Sequence, residues 1–393
     1  MKKEWQVESF GKLFTIRPQK KEAYNSLNKN DIVSFVPMSD LKEKAKGLSL
    51  TQAKKLSEVY SGYTYFADND VLLAKITPCF ENGKLGIAQN LENGIGFGSS
   101  EFIVFRANGR VIPEYLFYFL SNEKFRQAGK KQMTGAVGHK RVPKDFIENY
   151  KLPFPTSIEE QKRIVAILDK AFAAIDQARA NAQKNLQNSR ELFESYLNKV
   201  FANPGEDWEE KKLSEVSQFI NGKAYSKKEL LNRGKYRVLR VGNFFTNNNW
   251  YYSDLELPPD KYCENGDLLY AWSASFGPRI WTGEKVIYHY HIWKVIPDTS
   301  YITKEFLYFL LEWDVEKIKS EQGAGTTMIH VTKGSMENRN VFIPPIGIQE
   351  SIVSKTKIMI KETNRLKEIY QKKITDLEEL KKSILHKAFE GEL

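Results

Sequence analysis

The second half of this 393-residue chain restates the first, and that self-similarity limits the fold more than any other feature. Trp5-Gln-Val-Glu-Ser-Phe-Gly-Lys-Leu13 opens one half and Trp208-Glu-Glu-Lys-Lys-Leu-Ser-Glu-Val216 the other. Asp70-Val-Leu-Leu-Ala74 matches Asp267-Leu-Leu-Tyr-Ala271, an offset of 267 − 70 = 197. Glu114-Tyr-Leu-Phe-Tyr-Phe-Leu120 matches Glu305-Phe-Leu-Tyr-Phe-Leu-Leu311 (305 − 114 = 191), and Leu152-Pro-Phe-Pro155 matches Phe342-Ile-Pro-Pro345 (342 − 152 = 190). Ser195-Tyr-Leu-Asn-Lys-Val-Phe201 matches Ser383-Ile-Leu-His-Lys-Ala-Phe389 (383 − 195 = 188). The offset drifts in one direction, whereas chance similarity would scatter it. The chain is a tandem duplication with small insertions and deletions.

Each copy changes character at its proline pair. Before it lie short apolar runs broken by Gly, Asn, Asp and Pro, such as Asp31–Pro37, Asp70–Thr77 and Phe102–Phe105. These read as the strands and turns of a compact α+β module, with helical stretches at Pro113–Gln127 and Thr303–Glu321. After the prolines there is no Gly or Pro from Ser157 to Asn203, nor from Ile348 to Glu390, as a long unbroken helix requires. The domains expected are therefore a module at 1–156, a long helix at 157–203, a second module at 204–346 and a second long helix at 347–393. Ile164, Leu168, Ile175, Leu186 and Phe193 lie on an alternating three-four spacing, and Ile352, Met359, Leu366, Ile374 and Ile384 repeat it 188 residues on. One narrow seam on each of two related helices predicts that they pack together as a coiled coil. Lys381 interrupts the second seam, and Leu380 beside it is expected to take its place. At about 1.5 Å per residue, such helices are roughly 65 Å long.

Catalytic patterns are missing. There is no Gly-x4-Gly-Lys-[Ser/Thr] loop for a triphosphate, no Gly-x-Gly-x-x-Gly dinucleotide turn and no Asn/Asp-Pro-Pro-Tyr run for amino-methyl transfer. His289-Tyr-His291 would put two imidazoles on one strand face, but no cysteine is close, and two polar residues on a surface strand are the simpler reading. The expectation is no catalytic residue and no metal site. Only Cys79 and Cys263 are present, which excludes a disulfide framework and suits a reducing cytoplasm. The amino terminus is not followed by an apolar signal segment, and no apolar run is long enough to cross a bilayer.

What remains is chemistry suited to nucleic acid. A formal charge of +10 favours an anionic partner. Candidate contacts in the first module are Lys75, Lys84, Ser99, Ser100, Thr134, His139, Lys140 and Arg141. In the second they are Lys223, Tyr225, Arg240, Asn243, Ser273, Arg279, His291, Thr326, Thr327 and His330, near the run Asn247-Asn248-Asn249 and the aromatic residues Trp250, Tyr251 and Trp272. Lys and Arg neutralise phosphates, while Arg, Asn and the hydroxyls can also read base edges. The loop Gly135-Ala-Val-Gly-His-Lys-Arg141 joins flexible backbone to three donors, and Gly323–His330 is its counterpart.

At these residues the chain resembles the specificity subunits of Type I restriction–modification systems. The resemblance is carried by Asp70-Val-Leu-Leu-Ala-Lys-Ile-Thr-Pro-Cys-Phe-Glu-Asn-Gly-Lys84, Phe35-Val-Pro-Met38 and Gly98-Ser-Ser-Glu-Phe-Ile-Val-Phe105. In the second half it is carried by Ile220-Asn-Gly-Lys223, Tyr236-Arg-Val-Leu-Arg-Val-Gly-Asn243 and the ending Ser383–Leu393. It implies two target recognition domains joined by two long helices in an antiparallel coiled coil, with an internal pseudo-twofold repeat. Each domain would read one half of a bipartite, asymmetric site in double-stranded DNA, and the helices would set the gap. It further implies two methyltransferase (modification) subunits as partners, joined in some complexes by restriction/translocase subunits. S-adenosylmethionine, ATP and Mg would be held by those partners, with no cofactor on this chain and no membrane association. The junction differs between the copies: Glu160-Gln161 stands in one and Gln349-Glu350 in the other. Two other readings remain open, a silent specificity cassette and a protein-interaction scaffold with duplicated modules on a coiled-coil rod.

Overall fold

The structure is a computed structural model and describes residues 4–43, 45–136, 138–245, 247–273, 276–321 and 331–393. The chain forms two compact units, Met1–Ala182 with Lys372–Leu393, and Gln183–Gln371. Each long helix thus contributes one part to each unit.

In the first unit one sheet has the spatial order Phe14–Ile16, Phe102–Ala107, Val71–Ala74, Leu85–Ile87. A second has the order Gln52–Lys55, Ile32–Val36, Ile95–Gly98, Thr64–Ala67. The strand Val71–Ala74 is buried throughout because it serves two cores. Val71 and Leu73 join the cluster built on Phe10, Phe105 and Tyr115, while Leu72 and Ala74 face Val36, Phe66 and Phe102. A strand covered on both faces reads as a continuous apolar run, which is how this one stands in the sequence.

Asp70 explains why an acidic residue heads that run. Its carboxylate, 1% exposed, accepts from the Ala67 amide at 2.8 Å, closing the turn. It also accepts two bonds from Arg106 on the neighbouring strand, at 2.8 and 2.7 Å. A carboxylate taken out of water needs such a partner.

The second unit repeats this plan. Its sheets run Ser217–Asn221, Ile292–Pro297, Leu268–Ala271, Gly277–Ile280, and Tyr251–Ser253, Tyr236–Leu239, Val286–Tyr288, Tyr262–Cys263. Asp267 again closes the turn, accepting from Glu264 N at 2.8 Å, and pairs with Lys294 at 2.7 Å. Both units end on an antiparallel ribbon that delivers the chain to a long helix. Trp5–Ser9 pairs with Lys151–Pro155 in one, and Glu209–Lys212 with Asn340–Ile343 in the other.

Expectations about two segments need correction. The stretch Pro113–Gln127 is not one helix: Pro113–Leu120 ends at Ser121, and Glu123–Gln132 starts afresh. The Asn122 side chain caps the second piece by accepting from Lys124 N at 2.9 Å, a choice that asparagine offers and that periodicity does not reveal. By contrast Lys304–Glu321 runs unbroken. His289-Tyr-His291 is not a strand face but the tight turn between Val286–Tyr288 and Ile292–Pro297.

The long helices are Ile158–Phe201 (44 residues) and Ile346–Glu390 (45 residues). In the first unit Ile164, Leu168 and Ile175 share a core with Leu385, Ala388 and Phe389, and Ile384 packs at its margin. Arg163 donates to Leu393 O at 2.7 Å, Lys381 pairs with Asp176 at 2.8 Å and Arg179 with Glu378 at 3.2 Å. Partner numbers fall as the first helix advances, so these segments run antiparallel. In the second unit Phe193 and Ile352 pack on a core containing Leu197, Phe201 and Val353. Leu186, Met359, Leu366 and Ile374 are half-buried, whereas Thr356 and Thr363 are buried deeper, at 0% and 3% exposure. Leu380 does not replace Lys381 in the seam. Leu380 is 47% exposed, and Lys381 itself turns inward, its ammonium lying 4.8 Å from the centre of the Phe172 ring. The lysine stem supplies apolar contact while its tip reaches Asp176.

Candidate nucleic-acid interface

In the first unit the fold gathers Lys75, Ser99, Ser100, Thr134, His139, Lys140 and Arg141 from three separate stretches. Arg141 pairs through its backbone with Thr134 and with Ile76, and Thr77 N donates to Lys140 O at 2.9 Å. Lys75 donates from its ammonium to Ser100 O at 2.8 Å and from its backbone to Glu101 O at 2.9 Å. At the centre stands Glu101. Arg141 donates to it from Nε at 3.1 and 2.9 Å and from Nη2 at 2.8 Å, and Lys75 Nζ lies 3.9 Å away. The bond from Arg141 holds the Glu101 carboxyl below its ordinary range. Lys75 titrates below the usual lysine range because it is partly buried and because Arg17 repels it. Three cations, Arg17, Lys75 and Arg141, thus surround one carboxylate and leave net positive charge for an anion.

Not every candidate joins this cluster. Lys84 donates its ammonium to Met38 O at 2.9 Å and pairs through its backbone with Glu43, so it pins a loop. The Ser99 hydroxyl accepts from Glu101 N at 3.2 Å and shapes the turn that presents Glu101. His139 and Lys140 remain exposed.

The second unit builds a different surface. Arg240, Asn243 and His291 come together with Asn232, Asn247, Asn249, Trp250, Tyr251 and His289 around a pocket of about 510 Å³. The Arg240 guanidinium lies 5.1 Å from the centre of the Tyr251 ring. Asn243 spends its amide hydrogens on Asn247 O and Asn249 O, at 3.0 and 2.8 Å, and so folds the loop rather than offering donors to a ligand. His289 is pushed down to about 4 by burial, with His291 and Arg240 adding repulsion, and is neutral at neutral pH. His291 packs edge-on against Trp272 at 4.8 Å, and Trp272 stacks on Trp293, which stacks on Tyr270.

Around this pocket, Tyr225 stacks on His289 and Lys223 is paired with Glu229 at 2.9 Å. Ser273 is buried, at 7% exposure. Arg279 lies elsewhere, over the Phe245 ring at 5.1 Å, in a groove of about 1340 Å³ that it shares with Tyr308 and Glu312. Thr326, Thr327 and His330 lie outside the described residues. Among the described residues no group of three or more His, Cys, Asp or Glu side chains could hold a metal ion, and no helix is long and apolar enough to cross a membrane.

Sequence reasoning missed Glu101, Arg17 and Asn232, and weighed His289 only as a metal ligand or a polar strand residue. Glu101 carries the wrong charge for a phosphate contact and enters the site through Arg141 and Lys75. Arg17 follows a strand with φ near 60°, a conformation that nothing in a non-glycine residue announces.

The family described as Type I restriction modification DNA specificity domain matches this chain over residues 2–185 and 205–376. The Type I restriction enzyme EcoAI specificity subunit of Escherichia coli is 39% identical over 166 residues, 42% of this chain and 28% of that protein. The EcoEI specificity subunit of the same organism is 36% identical over 194 residues, 49% of this chain and 32% of that protein. The matches therefore span about a third or less of those two relatives. The MjaVIII specificity subunit of Methanocaldococcus jannaschii is 26% identical, covering 76% of this chain and 74% of its own. Among solved structures, the HsdS subunit from Thermoanaerobacter tengcongensis has a TM-score of 0.70 at 19% identity, covering 100% of this chain and 98% of that one. A chain from a study of complex assembly and conformational transition of the type I R-M system reaches 0.82 at 20% identity, covering 100% and 99%. At those identities the likeness establishes the fold.

Proposed function

The chain belongs to the Type I restriction modification DNA specificity family, and from that premise we propose that its two units read the two halves of a split DNA site. The observation that carries this reading is the pairing of one frame with two unlike surfaces. Both units have the same sheet orders, yet one presents Arg17, Lys75 and Arg141 around Glu101 and the other a pocket with Arg240, Tyr251 and four asparagines. A repeat that keeps its scaffold and changes its polar loops is suited to reading two different sequences. Phosphate contacts from lysines position such a module, and forked or amide donors read base edges.

In this reading the chain performs no bond chemistry and works in a reducing cytoplasm. Partner modification subunits supply adenine methylation with S-adenosylmethionine, and restriction subunits, where present, use ATP and Mg. The long helices set the gap between half-sites. Partner docking is supported by apolar side chains left exposed on these helices. In the second unit Ile358 is 62% and Ile369 48% exposed, and eleven residues on an α-helix return to nearly the same face.

The test is co-expression with a modification subunit followed by mapping of adenine methylation across a genome. A split motif with unlike halves and a fixed gap is the expected result. Complex formation without methylation would point to a silent cassette or scaffold. No complex and no retention on DNA would sink the reading.

A further inference from the structure

Resting on the reading above, we propose that Arg141 reads a guanine in the half-site of the first unit, aimed by Glu101 and the His139 carbonyl. A guanidinium carries five N–H donors in one plane. Glu101 takes the donor on Nε and one on Nη2, through contacts of 2.8–3.1 Å. The carbonyl of His139 accepts one from Nη1 at 3.1 Å. These contacts leave one N–H on each terminal nitrogen, a two-pronged donor. Guanine presents N7 and O6 side by side in the major groove, and a forked arginine matches both at once, which no other base allows.

The placement supports this use. The Arg141 side chain is 46% exposed while Glu101 is 21% exposed, so the carboxylate lies behind the guanidinium. The arginine backbone is fixed on both sides by its pairing with Thr134 and Ile76. Glu101 is fixed in turn by the Ser99 hydroxyl at 3.2 Å. A donor already held in its working geometry loses less freedom on binding. Lys75 and Arg17 offset the charge of Glu101, so the pair does not repel the phosphates. Glu101 is a positioning residue here and Arg141 the reading one.

The experiment maps adenine methylation for the native chain and for Arg141→Lys, Arg141→Ala and Glu101→Gln, each co-expressed with the modification subunit, with a thermal melt of each chain. Both arginine variants are expected to lower the preference for guanine at one position of one half-site by roughly tenfold to a hundredfold. The other half-site and the melting temperatures stay as in the native chain. Glu101→Gln loosens the same position by less. An unchanged motif in both arginine variants overturns the inference, as does uniform loss at every site with the motif intact, which would mark a phosphate contact. If the native chain itself yields no split motif, the reading above fails and takes this inference with it.

Discussion

Gln161 and Gln349 make the same three hydrogen bonds, each inside its own unit. Gln161 Oε1 accepts from Ile112 N at 3.0 Å, and its amide donates to Arg110 O at 2.8 Å and Pro155 O at 2.9 Å. Gln349 Oε1 accepts from Thr303 N at 2.8 Å, and its amide donates to Tyr301 O at 2.7 Å and Pro344 O at 2.8 Å. Both side chains are fully buried. Each glutamine ties the start of a long helix to the end of the ribbon and to the entrance of an internal helix. The two junctions are therefore in register on glutamine alone, at 349 − 161 = 188, and the glutamates beside them are not part of the device.

Gln161→Ala or Gln349→Ala leaves three backbone groups unpaired at a buried junction. Each substitution is expected to cost about 2–4 kcal/mol of stability. Because the residues share no partner, the double variant should cost about the sum. Denaturant unfolding of the three variants checks both expectations, and a cost near zero for either single change would show that the glutamine does not clamp its junction.

Phe389 packs edge-on against Tyr115 at 5.2 Å and Phe119 at 5.1 Å, fastening the end of the second long helix to the first unit. Phe389→Ala should cost about 3–5 kcal/mol and open the segment after Lys372 to limited proteolysis. Equal protease resistance in variant and native chain would contradict this.

His289 is neutral in the fold, its titration pushed down to about 4 by burial, from an ordinary value near 6.5. In that interval the unfolded chain binds a proton that the folded one refuses. Its contribution to stability is complete above about pH 6.5 and declines as pH falls toward 4. His289→Gln should flatten the pH dependence of unfolding across that window by up to one bound proton. A slope equal to that of the native chain would show that the imidazole does not titrate as described.

Insertion of seven residues after Ala182 and another seven after Gln371, where the chain passes between units, keeps the helix phase to within a small rotation. It adds about 10 Å, about three base pairs of duplex. If the helices set the gap, the methylated motif lengthens or methylation is lost, because roughly three added base pairs also turn one half-site about the duplex axis. Methylation at the original gap would end the ruler idea.

The sequence by itself determined the duplication, the two long helices and the buried strand headed by Asp70 and its counterpart Asp267. These are written in local patterns: apolar period, absence of Gly and Pro, and turn-closing side chains a few residues from their targets. Tertiary structure decided which cations stand together. Lys75 and Lys84 look alike in the sequence, yet one stands in a basic cluster and the other closes a loop on Met38. It also made Arg141 a forked donor, because its partner Glu101 lies 40 residues away and meets it only through the order of the strands. The same holds for Lys381, which outcompetes Leu380 for the seam because Asp176 and Phe172 wait opposite it. A short-range pattern can fix which way a side chain points along its own element. What that side chain meets depends on contacts distant in sequence, which only the folded chain brings together.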